Sequence, residues 1–375
     1  MPIAATPITF QDIFFRGGYS LGYFQSALAE YLQVKNCFLV GSGTLALYLI
    51  LKAAMRISDR KEVILPAYTA HSLVLPIKRL GLKIRLCDIS LENFNLDVDF
   101  LKTQVSQNTL CIVAVHLFGI PCDIENINKI ANREEIFVVE DAAQALGTTI
   151  NNKMAGTFSD MGFFSFNRGK NLPTYSGGCI VTDEEDLADM LKKDIDSLKK
   201  PNMIYRINSR IKLSGLRLAA KPGFYGLFYP LLKHFKNNAV ATDFSLDKYT
   251  VFQAGTGLAL LKRIDEYNER RYQNSMALIK GLKDMDRIIL PKIPENIRPA
   301  FNRFPVIFKD MSLKEKIENK LWNHGFETSR MYLKPVDEGF PCATYFAEHL
   351  LTLPIHPLVK AQDVQKMINI FKELE

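Results

Sequence analysis

The chain has 375 residues, 47% hydrophobic, 23% charged and 11% aromatic, which is material for two or three domains of about 150 residues and a large core. That balance excludes a disordered chain, a collagen-like chain and a small disulfide scaffold. The net charge of +7 is local, because residues 197–242 hold nine basic and no acidic residues while the remainder holds 38 basic against 40 acidic ones. The six cysteines, Cys37, Cys87, Cys111, Cys122, Cys179 and Cys342, stand singly without zinc-site spacing, so buried thiols in a reducing compartment are expected. The opening residues Met1 to Thr6 lack the charged and apolar regions of a secretory signal. No run approaches the roughly 18 apolar residues of a spanning helix, and a cytoplasmic protein is expected.

In chain order, short apolar runs alternate with helical patterns and turn signals, the habit of an α/β domain with a mostly parallel sheet. Residues 63–65 run into Pro66, 83–87 into Asp88, 110–115 into His116, and 136–139 into Glu140-Asp141. Ligands of open α/β sheets lie beyond the carboxyl ends of such strands, so the residues that follow each run are where chemistry is expected. Residues 197–242 are basic and aromatic and are interrupted by Pro222 and Pro230. From Thr250 the spacing of Phe252, Leu258, Leu261 and Ile264 predicts a long helix joining two domains. Residues 275–375, with a strand at 304–308 and helices at 314–323 and 361–374, predict a smaller α+β domain. The division expected is 1–250 for the large domain and 251–375 for the joining helix and small domain.

Three places carry candidate chemistry. Gly41-Ser42-Gly43-Thr44 follows an apolar strand and opens a helical run, where backbone N–H groups and a hydroxyl at the positive end of a helix stabilise a phosphate. It also reads as a plain turn with Thr44 as the helix cap, and the third glycine of a dinucleotide fingerprint is missing. Glu140-Asp141-Ala142-Ala143-Gln144 puts a carboxylate at a strand end, followed by small residues that let a flat ligand approach. Such an acid either caps the next helix or holds a protonated heteroaromatic nitrogen. Lys170 lies on the turn Asn167-Arg168-Gly169-Lys170 after the aromatic strand Phe163-Phe164-Ser165-Phe166, where desolvation would make it a nucleophilic amine. Taken together, the three supply a phosphate cradle, a pyridinium partner and a Schiff-base amine, the functions that pyridoxal 5'-phosphate requires.

These residues also resemble a known family, the DegT/DnrJ/EryC1/StrS sugar aminotransferases of the aspartate aminotransferase fold type. The resemblance runs through Ser42-Gly43-Thr44-Leu45-Ala46-Leu47, Leu65-Pro66-Ala67-Tyr68-Thr69, Val115-His116-Leu117-Phe118-Gly119, Glu140 to Gln144, Phe164-Ser165-Phe166 with Lys170, Gln253-Ala254, and Leu353-Pro354-Ile355-His356-Pro357. It implies an α/β fold, the fold type I of pyridoxal-phosphate transferases, with a mostly parallel mixed sheet flanked by helices and a smaller C-terminal α+β domain. It further implies that Lys170 forms the internal aldimine and that Asp141 partners the pyridine nitrogen. Gln144 would lie beside the phenolic oxygen, and Gly43, Thr44 and Ser165 would hold the phosphate. Some relatives replace the lysine with histidine and become dehydratases, so the lysine argues for amino transfer. The chain departs from the family in two places. Ala70 stands where an aromatic ring usually stacks on the cofactor, leaving His71 or Tyr68 to cover it. Lys248 stands near the position of an asparagine that reaches the partner subunit's phosphate.

The function implied is amino transfer from glutamate to a keto sugar, nucleotide-linked, by a ping-pong route with Lys170 as general base and acid, in a homodimer. The rivals are an aminotransferase for a lipid-linked ketone and a catalytically silent sensor or scaffold. Residues 221–236 combine rings, leucines and cations and admit three readings: an interfacial element resting on the inner face of a membrane, a wall for a sugar nucleotide's diphosphate, or a dimer contact. No nucleic-acid motif accompanies the charge, and no nucleic-acid partner is expected.

Overall fold

The computed structural model describes residues 1–14, 21–220, 225 and 242–374. Of the segment 221–236, only Tyr225 falls within them. A seven-stranded sheet organises the first half. Its strands are β1 (Asn36–Val40), β2 (Glu62–Pro66), β3 (Lys83–Cys87), β4 (Thr109–Val115), β5 (Phe137–Asp141), β8 (Met161–Ser165) and β9 (Gly178–Thr182), with the short β6 (Thr149–Ile150) and β7 (Lys153–Met154) lying outside it. The order is β1-β9-β8-β5-β4-β2-β3. Neighbours from β8 to β3 run parallel, and β9 runs antiparallel to both β8 and β1. Two antiparallel contacts through β9 turn β1 back to the common direction. The carboxyl ends of β1, β2, β4, β5 and β8 therefore open on one edge. All seven residues of β4 are buried, the pattern of a central strand covered on both faces, which is why it reads in sequence as an unbroken apolar run.

The C-terminal part holds a three-stranded antiparallel sheet of β10 (Ile288–Ile289), β12 (Phe304–Phe308) and β13 (Leu350–Leu353). The helices Met311–Asn323, Pro341–His349 and Ala361–Lys372 accompany it. A further strand, β11 (Ile297–Arg298), pairs with β6 of the first half. One hydrophobic cluster runs from Leu65 and Val113 under the large sheet to Phe304 and Phe346, so the two sheets are joined by shared packing as well as by chain. Residues at the N-terminus lie on this C-terminal part: the Met1 amine donates to the Gly325 carbonyl, and His356 Nε2 lies 2.9 Å from the Pro2 carbonyl.

The expected joining helix is in fact two helices, Val251–Leu261 and Ile264–Leu282. Arg263 leaves helical geometry (φ −121°, ψ 6°) between them, and its guanidinium is held by Asp12 at 2.7 Å. No helix among the described residues is long and apolar enough to cross a membrane.

Candidate active site

A cavity of about 270 Å³ lies at the carboxyl edge of the large sheet, near the lower end of small-molecule sites at about 300 Å³. Most of its wall begins at strand ends. After β1, Ser42 caps the helix Gly43–Ala54 by accepting the Leu45 N–H at 3.1 Å. Ser42 therefore takes the capping role open to Thr44 in the sequence, and Thr44 lines the cavity instead. Gly43 sits at a close approach, since a Cβ there would meet the Ser165 Cβ at 3.2 Å. Gly43 and Ser165 both line the cavity, as do Thr69 and Ala70 after β2 and Val115 at the end of β4.

Asp141 ends β5 and is 6% exposed. Its Oδ1 accepts the Ala143 N–H at 2.9 Å. Burial raises its carboxyl above the usual range, against the pull of that N–H and of the Lys170 charge. The neighbouring Glu140 does a different job. It points to the other face, accepts the N–H groups of Gly156, Phe158 and Ser159, and meets the buried His116 Nε2 at 2.9 Å. His116 Nδ1 accepts the Cys122 N–H at 3.2 Å, an arrangement that needs a neutral ring donating from Nε2. Glu140 is thus fully committed to structure, and Asp141 is the acid left to the cavity.

Lys170 lines the same cavity as Asp141. Burial lowers its amine to about 8, with Asp141 opposing and the nearby Arg303 adding to the shift. Among the described residues, Lys170 Nζ makes no hydrogen bond, and no ion pair joins it to Asp141. The two groups sense each other across open space. Gln144 also lines the cavity; its Oε1 accepts the Phe118 N–H at 3.2 Å, while Nε2 lies 3.4 Å from Tyr332 Oη.

Three expected residues fall elsewhere. Tyr68 is 1% exposed and packs edge-on against Phe346 at 4.7 Å; its hydroxyl donates to the Tyr332 carbonyl and accepts the Tyr332 N–H. It braces Tyr332 and does not line the cavity, because β2 delivers Ala67 and Tyr68 into the core before the chain turns outward at Thr69. His71 starts a short 3₁₀ turn, Ala70 and Ser72 on either side of it line the cavity, and His71 does not. Lys248 donates from Nζ to the Asp196 carbonyl at 2.9 Å, outside the cavity of its own chain. Residues not foreseen as site residues include Thr69 and Tyr332, both in the wall, and Arg303, near enough to Lys170 to lower its pKa. The position of Thr69 after β2 was a usable signal; Tyr332 had none, since it reaches the site from the C-terminal part.

The sequence matches the DegT/DnrJ/EryC1/StrS aminotransferase family over residues 8–372. The chain belongs to that family. It is a pyridoxal-phosphate-dependent aminotransferase of the α/β class. Among relatives of this aminotransferase, GDP-perosamine synthase of Caulobacter vibrioides is 32% identical over 362 residues, covering 92% of this chain and 87% of that protein. GDP-4-keto-6-deoxy-D-mannose 3-dehydratase of Yersinia pseudotuberculosis is 35% identical over 182 residues, 47% of this chain and 46% of that enzyme. In fold, the chain is similar to the putative sugar aminotransferase Spr1654 from Streptococcus pneumoniae in its pyridoxal-phosphate form, with a TM-score of 0.80, 22% identity, and 100% and 98% of the two chains covered.

The residues present fit that cofactor. Besides the separated amine and carboxyl, Thr69 Oγ1 is buried without a hydrogen-bond partner, although Thr69 belongs to the cavity wall. A buried orphan hydroxyl costs about 1–3 kcal/mol and calls for a ligand atom. Thr69→Val, which keeps the shape and removes the hydroxyl, is expected to leave the apo-protein at least as stable. It should weaken cofactor binding about tenfold, the loss of one hydrogen bond of about 1.4 kcal/mol. Absorbance titration of the apo-protein checks this, and unchanged affinity would contradict the assignment.

Proposed function

We propose that this aminotransferase moves an amino group from glutamate to a keto sugar, nucleotide-linked, and that it works as a homodimer. The observation that carries the reading is the single cavity shared by an unpaired, partly neutral Lys170 amine and the buried Asp141, with the Gly43–Ser165 cradle beside them. The names of the nucleotide-sugar relatives support the substrate class, and a lysine at position 170 favours amino transfer over dehydration.

When bound, pyridoxal phosphate supplies an aldehyde for amine exchange and an electron-accepting ring. Gly43, Thr44 and Ser165 would hold its phosphate, Asp141 the proton of its ring nitrogen, and Gln144 its phenolic oxygen. Ala70 and Ala143, both small and both in the wall, leave room for a flat ring. Lys170 takes a proton from the substrate carbon at Nζ and returns it in the opposite half-reaction, a role suited to an amine whose pKa lies near working pH. Lys248, outside its own cavity, would serve the partner's site.

The glutamate donor finds support in Arg303. Its Nε is buried without a partner and its Nη1 has only the Ser329 hydroxyl, at 3.3 Å. Nη2 would lie 3.6 Å from a Cβ on Gly169, next to Lys170. Among the described residues, no carboxylate pairs with it. A guanidinium without a carboxylate partner among the described residues, near enough to Lys170 to lower its pKa, suits a substrate carboxylate. Arg303→Met is expected to raise the KM for glutamate about 10- to 100-fold while changing kcat little, measured by initial rates.

The reading as a whole is tested by adding glutamate to the holoenzyme with a panel of nucleoside-diphosphate keto sugars. Conversion of the cofactor to its amino form and amination of a sugar read by mass are the expected result. A holoenzyme whose spectrum glutamate leaves unchanged would count against the donor and favour a silent scaffold.

A further inference from the structure

The helix Met203–Ala219 has two apolar faces. Ser209 and Leu213, 3% and 0% exposed, turn inward, and Tyr205 Oη lies 2.7 Å from Ser176 Oγ. On roughly the opposite side, at 100° per residue, stand Ile204, Ile207, Ile211 and Leu218. These are 69%, 47%, 63% and 38% exposed, and Met203 beside them is 74% exposed. Of the twelve large exposed hydrophobic residues among those described, these five share one helix. Scattered exposed side chains need no explanation, but a stripe of this kind does. The inner face fixes how the stripe is presented, so it is not a frayed end.

Within residues 197–242 the charge has one sign. The nine cations of residues 197–242 include Lys199, Lys200, Arg210, Lys212 and Arg217, and no acid accompanies them. Aromatic rings hold three of the cations along the helix flanks: Arg210 over Phe252 at 4.8 Å, Arg217 over Phe10 at 3.6 Å and Lys212 over Tyr175 at 5.3 Å. A two-fold contact centred on this helix would set its cations against those of a second copy, which disfavours a second copy as the occupant of the stripe itself. An apolar stripe on a helix whose own charges are all cations complements a surface whose interior is hydrocarbon and whose outer layer is anionic.

We propose that the helix Met203–Ala219 docks this aminotransferase on a membrane surface bearing anionic lipid, with Ile204, Ile207, Ile211 and Leu218 entering the interface. This locates the membrane contact on residues 203–218, ahead of the 221–236 segment considered from sequence, and it is independent of the sugar substrate.

The test is flotation of the full-length holoenzyme with phosphatidylcholine vesicles, pure or mixed with phosphatidylglycerol at about 7:3. The intact protein is expected to float with the mixed vesicles, to stay behind with the pure ones, and to lose binding as salt is raised. Ile207→Asp combined with Ile211→Asp should cut the bound fraction at least about tenfold, with cofactor absorbance and thermal midpoint unchanged. If the pair disturbs folding, Ile204→Gln gives a smaller loss in the same direction. Failure of the intact protein to float, or flotation of the folded double variant as well as the parent, would overturn the proposal. So would light scattering in which the double variant dissociates a dimer of the intact chain, since the stripe would then belong to a second copy.

Discussion

Lys170→Ala is expected to lower amino transfer by at least about 10⁴-fold, because it removes the attacking amine and the proton carrier together. The same change should not harm the fold. Burial holds the amine at about 8, below its ordinary 10.5, so the native state binds fewer protons than the unfolded chain between those two values. The charged amine therefore costs stability fully below about pH 8, and the cost disappears as pH rises to 10.5. Apo Lys170→Ala is accordingly expected to melt at or above the parent at pH 7, with the difference gone above pH 10.5. Cofactor uptake by the parent apo-protein should rise with pH around a midpoint of about 8. Retained turnover, or a variant that melts well below the parent at pH 7, would remove Lys170 from the centre of the site.

The parts of the site that were legible in the sequence are those a strand delivers. Asp141, Ser165 and the Gly43 turn each follow an apolar run, and the parallel register that sets Val115 beside Asp141 and Asp141 beside Phe163 brings distant stretches to one edge without further information. The fold was legible for the same reason, down to the bounds of β3 and β12. What could not be read was anything fixed by packing between the two halves. Tyr332 enters the wall from a segment after β12, held there by the hydroxyl of Tyr68, so the sequence suggested Tyr68 itself as a cover while tertiary contact made it a brace. Arg303 looks like an ordinary cation until its lack of an acidic partner among the described residues is seen. The helix break at Arg263 depends on Asp12, some 250 residues away. The outward stripe on residues 203–218 could not be told from a core-facing one, because periodicity does not say which of two apolar faces is covered.

Asp141→Asn should lower turnover by about 10³-fold and leave the fold intact. Asparagine keeps the volume and an oxygen to accept the Ala143 N–H, so the end of β5 retains its local bond. It removes a buried carboxyl whose pKa is raised by desolvation; its ionised form costs stability above that pKa, and the apo variant should be at least as stable at neutral pH. What is lost is the negative charge that holds a proton on the ring nitrogen, and with it the ring's capacity to accept electrons. A second consequence reaches Lys170. Asp141 is the group that opposes the lowering of its pKa, so in the variant the midpoint of cofactor uptake should move below about 8. A residue serving only to finish a strand would leave both rate and midpoint where they were, so single-turnover kinetics with glutamate and the pH profile of uptake together separate the two roles. If the variant turns over within about twofold of the parent with an unmoved midpoint, the acid at the end of β5 is structural and the ring nitrogen must find its proton elsewhere.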